Sequence, residues 1–197
     1  MNLPNLLTLS RIPLMFIIVV LMQCRWVGAA SLAFVLFLAA GVSDWLDGYL
    51  ARRRGLVSNF GKLMDALTDK IFVLGLMIAL VGNGSLPIYW VLLVLCREFL
   101  ITGMRMVAAS KGVVFAAERG GKQKTVTQLI ALGFLLFIPM LRIDIAPFLR
   151  WDLPPSFTET LYNIGLGLFI IATFFTLWSG YGYFVKYRRI VFEESAS

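Results

Sequence analysis

The sequence predicts an all-α, polytopic integral membrane protein with six transmembrane helices, both termini cytoplasmic, in a single domain over residues 1–197. Three observations predict it. First, 59% of the residues are hydrophobic and 15% charged, where a soluble domain carries roughly 45–50% apolar and about 25% charged residues. Second, the excess falls in discrete runs at 12–24, 27–42, 71–81, 86–96, 126–141 and 162–184. One crossing takes ~20 mostly apolar residues, so the chain holds about six spans and no separate soluble domain. Third, the basic residues between the runs are lopsided. Arg52, Arg53, Arg54, Lys62, Lys111, Arg119, Lys122, Lys124, Lys186, Arg188 and Arg189 fall on one side, and only Arg25, Arg142 and Arg150 on the other. The positive-inside rule puts the first side, with both termini, in the cytoplasm.

The helices are expected at 8–24, 27–53, 62–82, 87–110, 122–142 and 158–188. Residues 1–7 are expected to lie along the interface before the chain turns inward. The first apolar run follows Arg11 as a signal peptide's core would. However, Cys24-Arg25-Trp26 is a poor small-residue cleavage site and a second apolar run follows at once, so this helix is retained. Ser58-Asn59 offers a cap for the third helix. Gly82-Asn83-Gly84-Ser85 followed by Pro87 marks a turn and a new start, and Asp152-Leu153-Pro154-Pro155-Ser156 marks another. Trp26, Trp90, Trp151 and Trp178 fall at or near expected helix ends, as interfacial belts require. Gly165 and Gly167 in the last helix suit close helix packing or a dimer contact.

The net charge is +7. With its basic residues between spans, the charge serves topology, membrane anchoring and anionic substrates, and no nucleic-acid partner is expected. Cys24 and Cys96 lack metal-ligand spacing and read as packing residues. The chain has no histidine, which removes imidazole acid–base chemistry and any histidine nucleophile.

Carboxylates are costly at membrane depth, ~2.5–3.5 kcal/mol each on insertion scales. Yet Asp44, Asp47, Asp65 and Asp69 gather near the cytoplasmic ends of two consecutive helices. Asp44 and Asp47 are three apart and share a face, which Gly48 and Ala51 continue. Gly61, Asp65 and Asp69 stand four apart and form a second stripe. A short loop makes the two helices antiparallel neighbours, so the stripes can face each other. Converging oxygen donors suit hard cations such as Mg²⁺ or Mn²⁺, and two ions together would serve a phosphoryl displacement. Gly48 and Ala51 leave room for a bulky group, and Arg52 can neutralise a phosphate. Two other readings stand beside this one. The aspartates could be solvated interfacial residues and caps, or they could line the ion or proton pathway of a metal-dependent transporter. Isolated caps would not form two facing stripes, and a pathway explains the acids but not Gly48, Ala51 and Gly61.

The pattern Asp44-x2-Asp47-Gly48-x2-Ala51-Arg52-x8-Gly61-x3-Asp65-x3-Asp69 resembles the signature of the CDP-alcohol phosphatidyltransferase family, and the six-span layout resembles it over the whole chain. The resemblance implies that Asp44, Asp47, Asp65 and Asp69 hold two metal ions, Mg²⁺ or Mn²⁺. It implies that Gly48, Ala51, Arg52 and Gly61 bind the CDP-lipid's CMP portion. It also implies that Asp69 is the catalytic base that takes the acceptor's proton. The absence of histidine separately excludes the phospholipase-D route to phospholipids. A homodimer in a bacterial inner (plasma) membrane, with the active site facing the cytoplasm, is likewise implied.

The acceptor must be chosen elsewhere. Glu98, Thr102 and Arg105 share a face of an apolar helix, with Arg97 adjacent. A structural bridge from Glu98 to Arg97 or Arg105 is the plain account of those charges. Arg119-Gly120-Gly121-Lys122-Gln123-Lys124-Thr125 opens the fifth helix, as an anion site or as a positive-inside anchor. Together with Asn5-x2-Thr8-x2-Arg11, these stretches resemble the family's bacterial phosphatidylglycerophosphate synthases, which join CDP-diacylglycerol to sn-glycerol 3-phosphate. By that resemblance Thr8, Arg11, Arg97, Arg105, Lys122 and Lys124 are the acceptor-phosphate residues, with Thr8 and Arg11 near the entrance. A cardiolipin synthase of the same family, taking phosphatidylglycerol, is the alternative.

Overall fold

The computed structural model describes the backbone of residues 3–54, 59–111 and 119–192, and the side chains of 9–43, 64–111 and 124–188. It is helical almost throughout: α1 (Leu3–Gln23), α2 (Ala29–Arg54), α3 (Asn59–Gly82), α4 (Ile88–Ser110), α5 (Arg119–Pro139), a π-helical stretch (Met140–Ile145), α6 (Ala146–Phe148) and α7 (Pro155–Phe192). Where no water reaches the backbone, each N–H and C=O must be satisfied within its own segment, and long apolar runs meet that demand as helices. Among the described residues, two helices are long and apolar enough to cross a membrane, Lys124–Phe148 and Pro155–Arg188, and Leu9–Gln23 and Ala29–Ser43 are shorter apolar helices.

The helices pack as a ring in which α3 touches α1, α1 touches α2, α2 touches α5, α5 touches α7, α7 touches α4, and α4 returns to α3. Ile18, Leu76, Met77, Leu132 and Phe169 are fully buried at its centre, and Phe37 of α2 stacks on Phe72 of α3. Small residues bring the rods close. Phe37 lies against Gly133, and an added Cβ at Gly165 would sit 2.8 Å from Leu135 Cδ2. Gly167, by contrast, faces open space. The outside of the ring is apolar too. Phe16, Val20, Val35, Leu38, Ile78, Phe99, Ile130, Ile171 and Phe174 are all exposed, a surface that suits a lipid solvent rather than water. The cysteines follow the same inversion: Cys24 and Cys96 are exposed and free, not packed inside.

The boundaries differ from expectation in three places. Leu3 to Gln23 is one helix with Pro13 inside it, so residues 3–7 continue α1 rather than forming a separate interfacial segment. The fifth rod does not stop near 142. Past Pro139 it passes into the π-helical stretch and ends at Phe148. The π-helical stretch carries Asp144, whose buried carboxylate accepts hydrogen bonds from Gly28 N at 2.9 Å and from Ser31 N and Oγ, both at 2.7 Å. It therefore caps the start of α2 from another rod. The last helix runs from Pro155, with proline in its first turn, to Phe192. The turn at Gly82–Ser85 forms as the sequence indicates. Gly84 takes φ +72°, and Ser85 N donates to Leu80 O at 2.8 Å.

Candidate active site

Two polar clusters meet at the end of the ring where α2 finishes and α3 begins. The first joins α1 to α3. Asp65 and Asp69 lie one helical turn apart on α3, and the Arg11 guanidinium of α1 reaches both: Nη1 is 3.4 Å from Asp65 Oδ1 and also pairs with Asp69 Oδ1. The arginine is buried, with 4% of its side chain exposed, whereas the two carboxylates are 51% and 42% exposed. A cation beneath thus steadies two acids whose outer oxygens remain accessible. These oxygen-only donors match the chemistry of a hard divalent cation. The side chains of Thr8, Asp44, Asp47, Gly48, Ala51, Arg52, Gly61 and Lys122 lie outside the described residues. Asp44 to Arg52 fall in the last part of α2, and Gly61 in the first turn of α3.

The second cluster is a cavity of about 250 Å³ among α3, α4, α5 and α7. Asp69 lines it, together with Lys70, Arg97, Glu98, Thr102, Arg105, Lys124, Gln128, Ser179 and Tyr183. Glu98 is its hub. Arg97 Nη1 donates to Glu98 Oε1 at 2.8 Å, and Lys124 pairs with the same oxygen. Thus the structural bridge foreseen for Glu98 exists with Arg97, while Arg105 turns instead to Tyr183, its Nη2 3.2 Å from Oη. Lys70 Nζ donates to Thr102 Oγ1 at 2.6 Å. Thr102 Oγ1 in turn donates to Glu98 O at 2.7 Å, the back-bond that lets a hydroxyl sit inside an apolar helix.

Arg97, Arg105 and Lys124 therefore share one cavity with Asp69, and Arg11 stands with the acids rather than with those three. Sequence reasoning missed Lys70, although a lysine directly after Asp69 at the head of an apolar run is a signal of the same kind as Arg97. It also missed Ser179 and Tyr183, which carry no charge. Gly180 between them was the available hint, since small residues mark close helix approach.

Among the described residues, the basic side chains Lys70, Arg97, Arg105 and Lys124 outnumber the acidic Asp69 and Glu98 in the lining of this cavity. A chamber rich in basic side chains beside accessible acids, in a helical ring with apolar flanks, has the chemistry to receive phosphorylated groups at a membrane. Comparison with known sequences gives the particular family. The model for CDP-alcohol phosphatidyltransferase matches residues 1–178, and the chain belongs to that family. It is 39% identical to the CDP-diacylglycerol–glycerol-3-phosphate 3-phosphatidyltransferase of Bacillus subtilis (strain 168), over 94% of both chains. The protein of the same name from Rickettsia typhi is 33% identical over 93% of this chain and 95% of its own. The one from Salmonella choleraesuis is 31% identical over 90% of each. Membership of a transferase family sets aside the transporter reading of the acids.

Proposed function

We propose that the protein transfers the phosphatidyl group of CDP-diacylglycerol to sn-glycerol 3-phosphate, giving phosphatidylglycerophosphate and CMP. The observation that carries this reading is that Asp69, the candidate base, lines the same small chamber as Lys70, Arg97, Arg105 and Lys124. A phosphomonoester carries about −1.5 to −2 charge at pH 7. The cluster of basic side chains in the chamber suits that dianion better than the single charge of a phosphodiester such as phosphatidylglycerol. The names of the relatives point the same way.

In this reading the basic side chains hold the acceptor's phosphate and turn its far hydroxyl toward Asp69. The Asp69 carboxylate takes the hydroxyl proton, and the freed oxygen forms a bond to the β-phosphorus of the CDP-lipid. The bond from that phosphorus to the CMP oxygen breaks, and CMP leaves. Asp44, Asp47, Asp65 and Asp69 would hold Mg²⁺ or Mn²⁺, two ions by resemblance, which would offset charge on the leaving phosphate. Gly48, Ala51, Arg52 and Gly61 would receive the CMP portion. Thr8 and Arg11 would stand near the entrance, and Lys122 would join the side chains that bind the acceptor's phosphate.

The lipid's tails also have a place. An apolar groove of about 610 Å³ between α2 and α5, lined by Phe34, Phe37, Leu38, Gly41 and Val42 on one side, climbs α2 toward Asp44. A CDP-lipid entering sideways from the bilayer would meet the acids with its chains in that groove. The charge asymmetry supports six spans, both termini in the cytoplasm and an inner-membrane site facing it. A homodimer is part of the same proposal.

The test is CMP release by detergent-purified protein supplied with Mg²⁺ or Mn²⁺ and CDP-diacylglycerol. It is offered glycerol 3-phosphate, phosphatidylglycerol, inositol 1-phosphate or serine in turn. Release with glycerol 3-phosphate alone is expected. Release with phosphatidylglycerol alone would make the protein a cardiolipin synthase and overturn the acceptor assignment.

A further inference from the structure

We propose that α7 is the template of the acceptor chamber, with Ser179, Gly180 and Tyr183 as positioning residues that fix where Arg97 and Arg105 present their guanidinium groups. The inference rests on reading the chamber as the acceptor site, and it assigns work to a helix that brings no charge there.

Both arginines belong to α4, yet α7 decides where each of them lies. Arg97 Nη2 donates to Ser179 Oγ at 2.9 Å while its Nη1 donates to Glu98, so two acceptors on different helices set the plane of the guanidinium. Its stem lies directly on the backbone of α7. A Cβ added at Gly180, which is itself buried, would stand 2.8 Å from Arg97 Cγ and 3.0 Å from Nε. These atoms are in the middle of the side chain, so Arg97 could not yield by moving its tip alone. Only glycine at 180 leaves the arginine this bed.

Arg105 is held differently. Its side chain is exposed, and an exposed arginine has many rotamers to lose when it binds an anion. Tyr183 restricts those rotamers in advance. The Arg105 Cζ lies 5.0 Å from the centre of the Tyr183 ring, and Nη2 reaches its Oη at 3.2 Å. The tyrosine is only 3% exposed and packs with Ile101 and Met104 of α4, with its ring 4.8 Å from that of Tyr187. A rigid aromatic thus sets a mobile cation in place, which lowers the ordering cost left for the acceptor. Ser179 and Tyr183 are four apart, so one turn of α7 serves both arginines.

The experiment measures the KM of glycerol 3-phosphate, the KM of CDP-diacylglycerol and kcat for the full-length wild type, Tyr183→Phe, Gly180→Ala and Arg105→Ala, and for the double variant of Tyr183 and Arg105. Tyr183→Phe keeps the ring and removes the hydroxyl. It is expected to raise the KM of glycerol 3-phosphate by roughly five- to tenfold, the size of a typical net hydrogen bond, because the lost bond acts on the acceptor only through Arg105. The lipid's KM should stay within about twofold, and kcat should change less than the acceptor's KM, because the lost hydroxyl contacts Arg105 and not the base Asp69. Gly180→Ala should raise the acceptor's KM in the same selective way. The double variant should be no worse than Arg105→Ala alone, since the tyrosine acts through the arginine. If Arg105→Ala raises the acceptor's KM and Tyr183→Phe does not, the template fails while the acceptor site stands. If Arg105→Ala leaves that KM unchanged, the acceptor assignment falls and the template with it. A Tyr183→Phe protein that loses both substrates alike would make the tyrosine merely structural, which also overturns the proposal.

Discussion

Glu98 offers the sharpest test of how the basic chamber is kept stable. Its carboxylate accepts from Arg97 at 2.8 Å and pairs with Lys124, and the three side chains are only 9–10% exposed. Replacing Glu98 by Gln keeps the shape and a neutral acceptor but removes the one negative charge shared by two buried cations. Breaking a buried pair from one side costs about 3–5 kcal/mol. The retained amide places this case at the low end, about 3 kcal/mol. For a chain of this size each kcal/mol moves Tm by about 2–4 °C, so a fall of roughly 6–12 °C is expected. The second arm adds the ligand. With Glu98 neutral, the chamber carries one more uncompensated positive charge, and a dianion has more repulsion to relieve. Saturating glycerol 3-phosphate should therefore raise the variant's Tm by more than it raises the wild type's. Thermal unfolding in detergent, with and without glycerol 3-phosphate, reads both arms. A variant that melts within about 2 °C of wild type, and gains no more from the acceptor, would refute the view that Glu98 neutralises this chamber.

Three further outcomes follow from the geometry. Asp69→Asn should lower the rate of CMP release by about 10²–10⁴-fold, the range of a lost general base, while the melting temperature falls by only a few degrees because Arg11 keeps Asp65 as a partner. Arg11→Gln leaves Asp65 and Asp69 repelling each other without their buried guanidinium. Melting in a metal chelator should fall by several degrees, and added Mg²⁺ should restore most of it if the acids bind the ion. Gly165→Ala should destabilise by about 1–3 kcal/mol, because its Cβ would press on Leu135 and Phe134. Gly167→Ala, in open space, should be neutral or slightly stabilising in the same denaturation assay.

The rods and the pairing of Asp65 with Asp69 on one face were legible in the sequence because each has a local cause. Apolar runs of spanning length must become helices, and Gly82 to Ser85 must turn because Gly84 adopts a left-handed φ. The four-residue spacing of Asp65 and Asp69 places both within reach of one guanidinium. What local pattern could not show was which rod closes the ring. α7 packs on α5 and α4, and only that long-range fact brings Ser179 and Tyr183 to the arginines. The cysteines were misjudged because an apolar neighbourhood in a lipid-solvated chain faces outward as readily as inward. The fifth rod was drawn too short because Pro139 and Arg142 look like a stop. A π-helical stretch absorbs them and carries the rod on to Phe148.

That same stretch has a mechanical consequence. Asp144 grips Gly28 and Ser31 at the beginning of α2, while Asp44 and Asp47 lie toward the helix's other end, ~20 Å from Ser31 at 1.5 Å per residue. A helix in lipid, free of any bond at its base, can slide like a piston along its own axis. α2 is instead bolted at its foot to a neighbouring rod, by a buried anion that three donors hold. The height at which its two aspartates stand is therefore fixed from far below them, by a carboxylate on another rod.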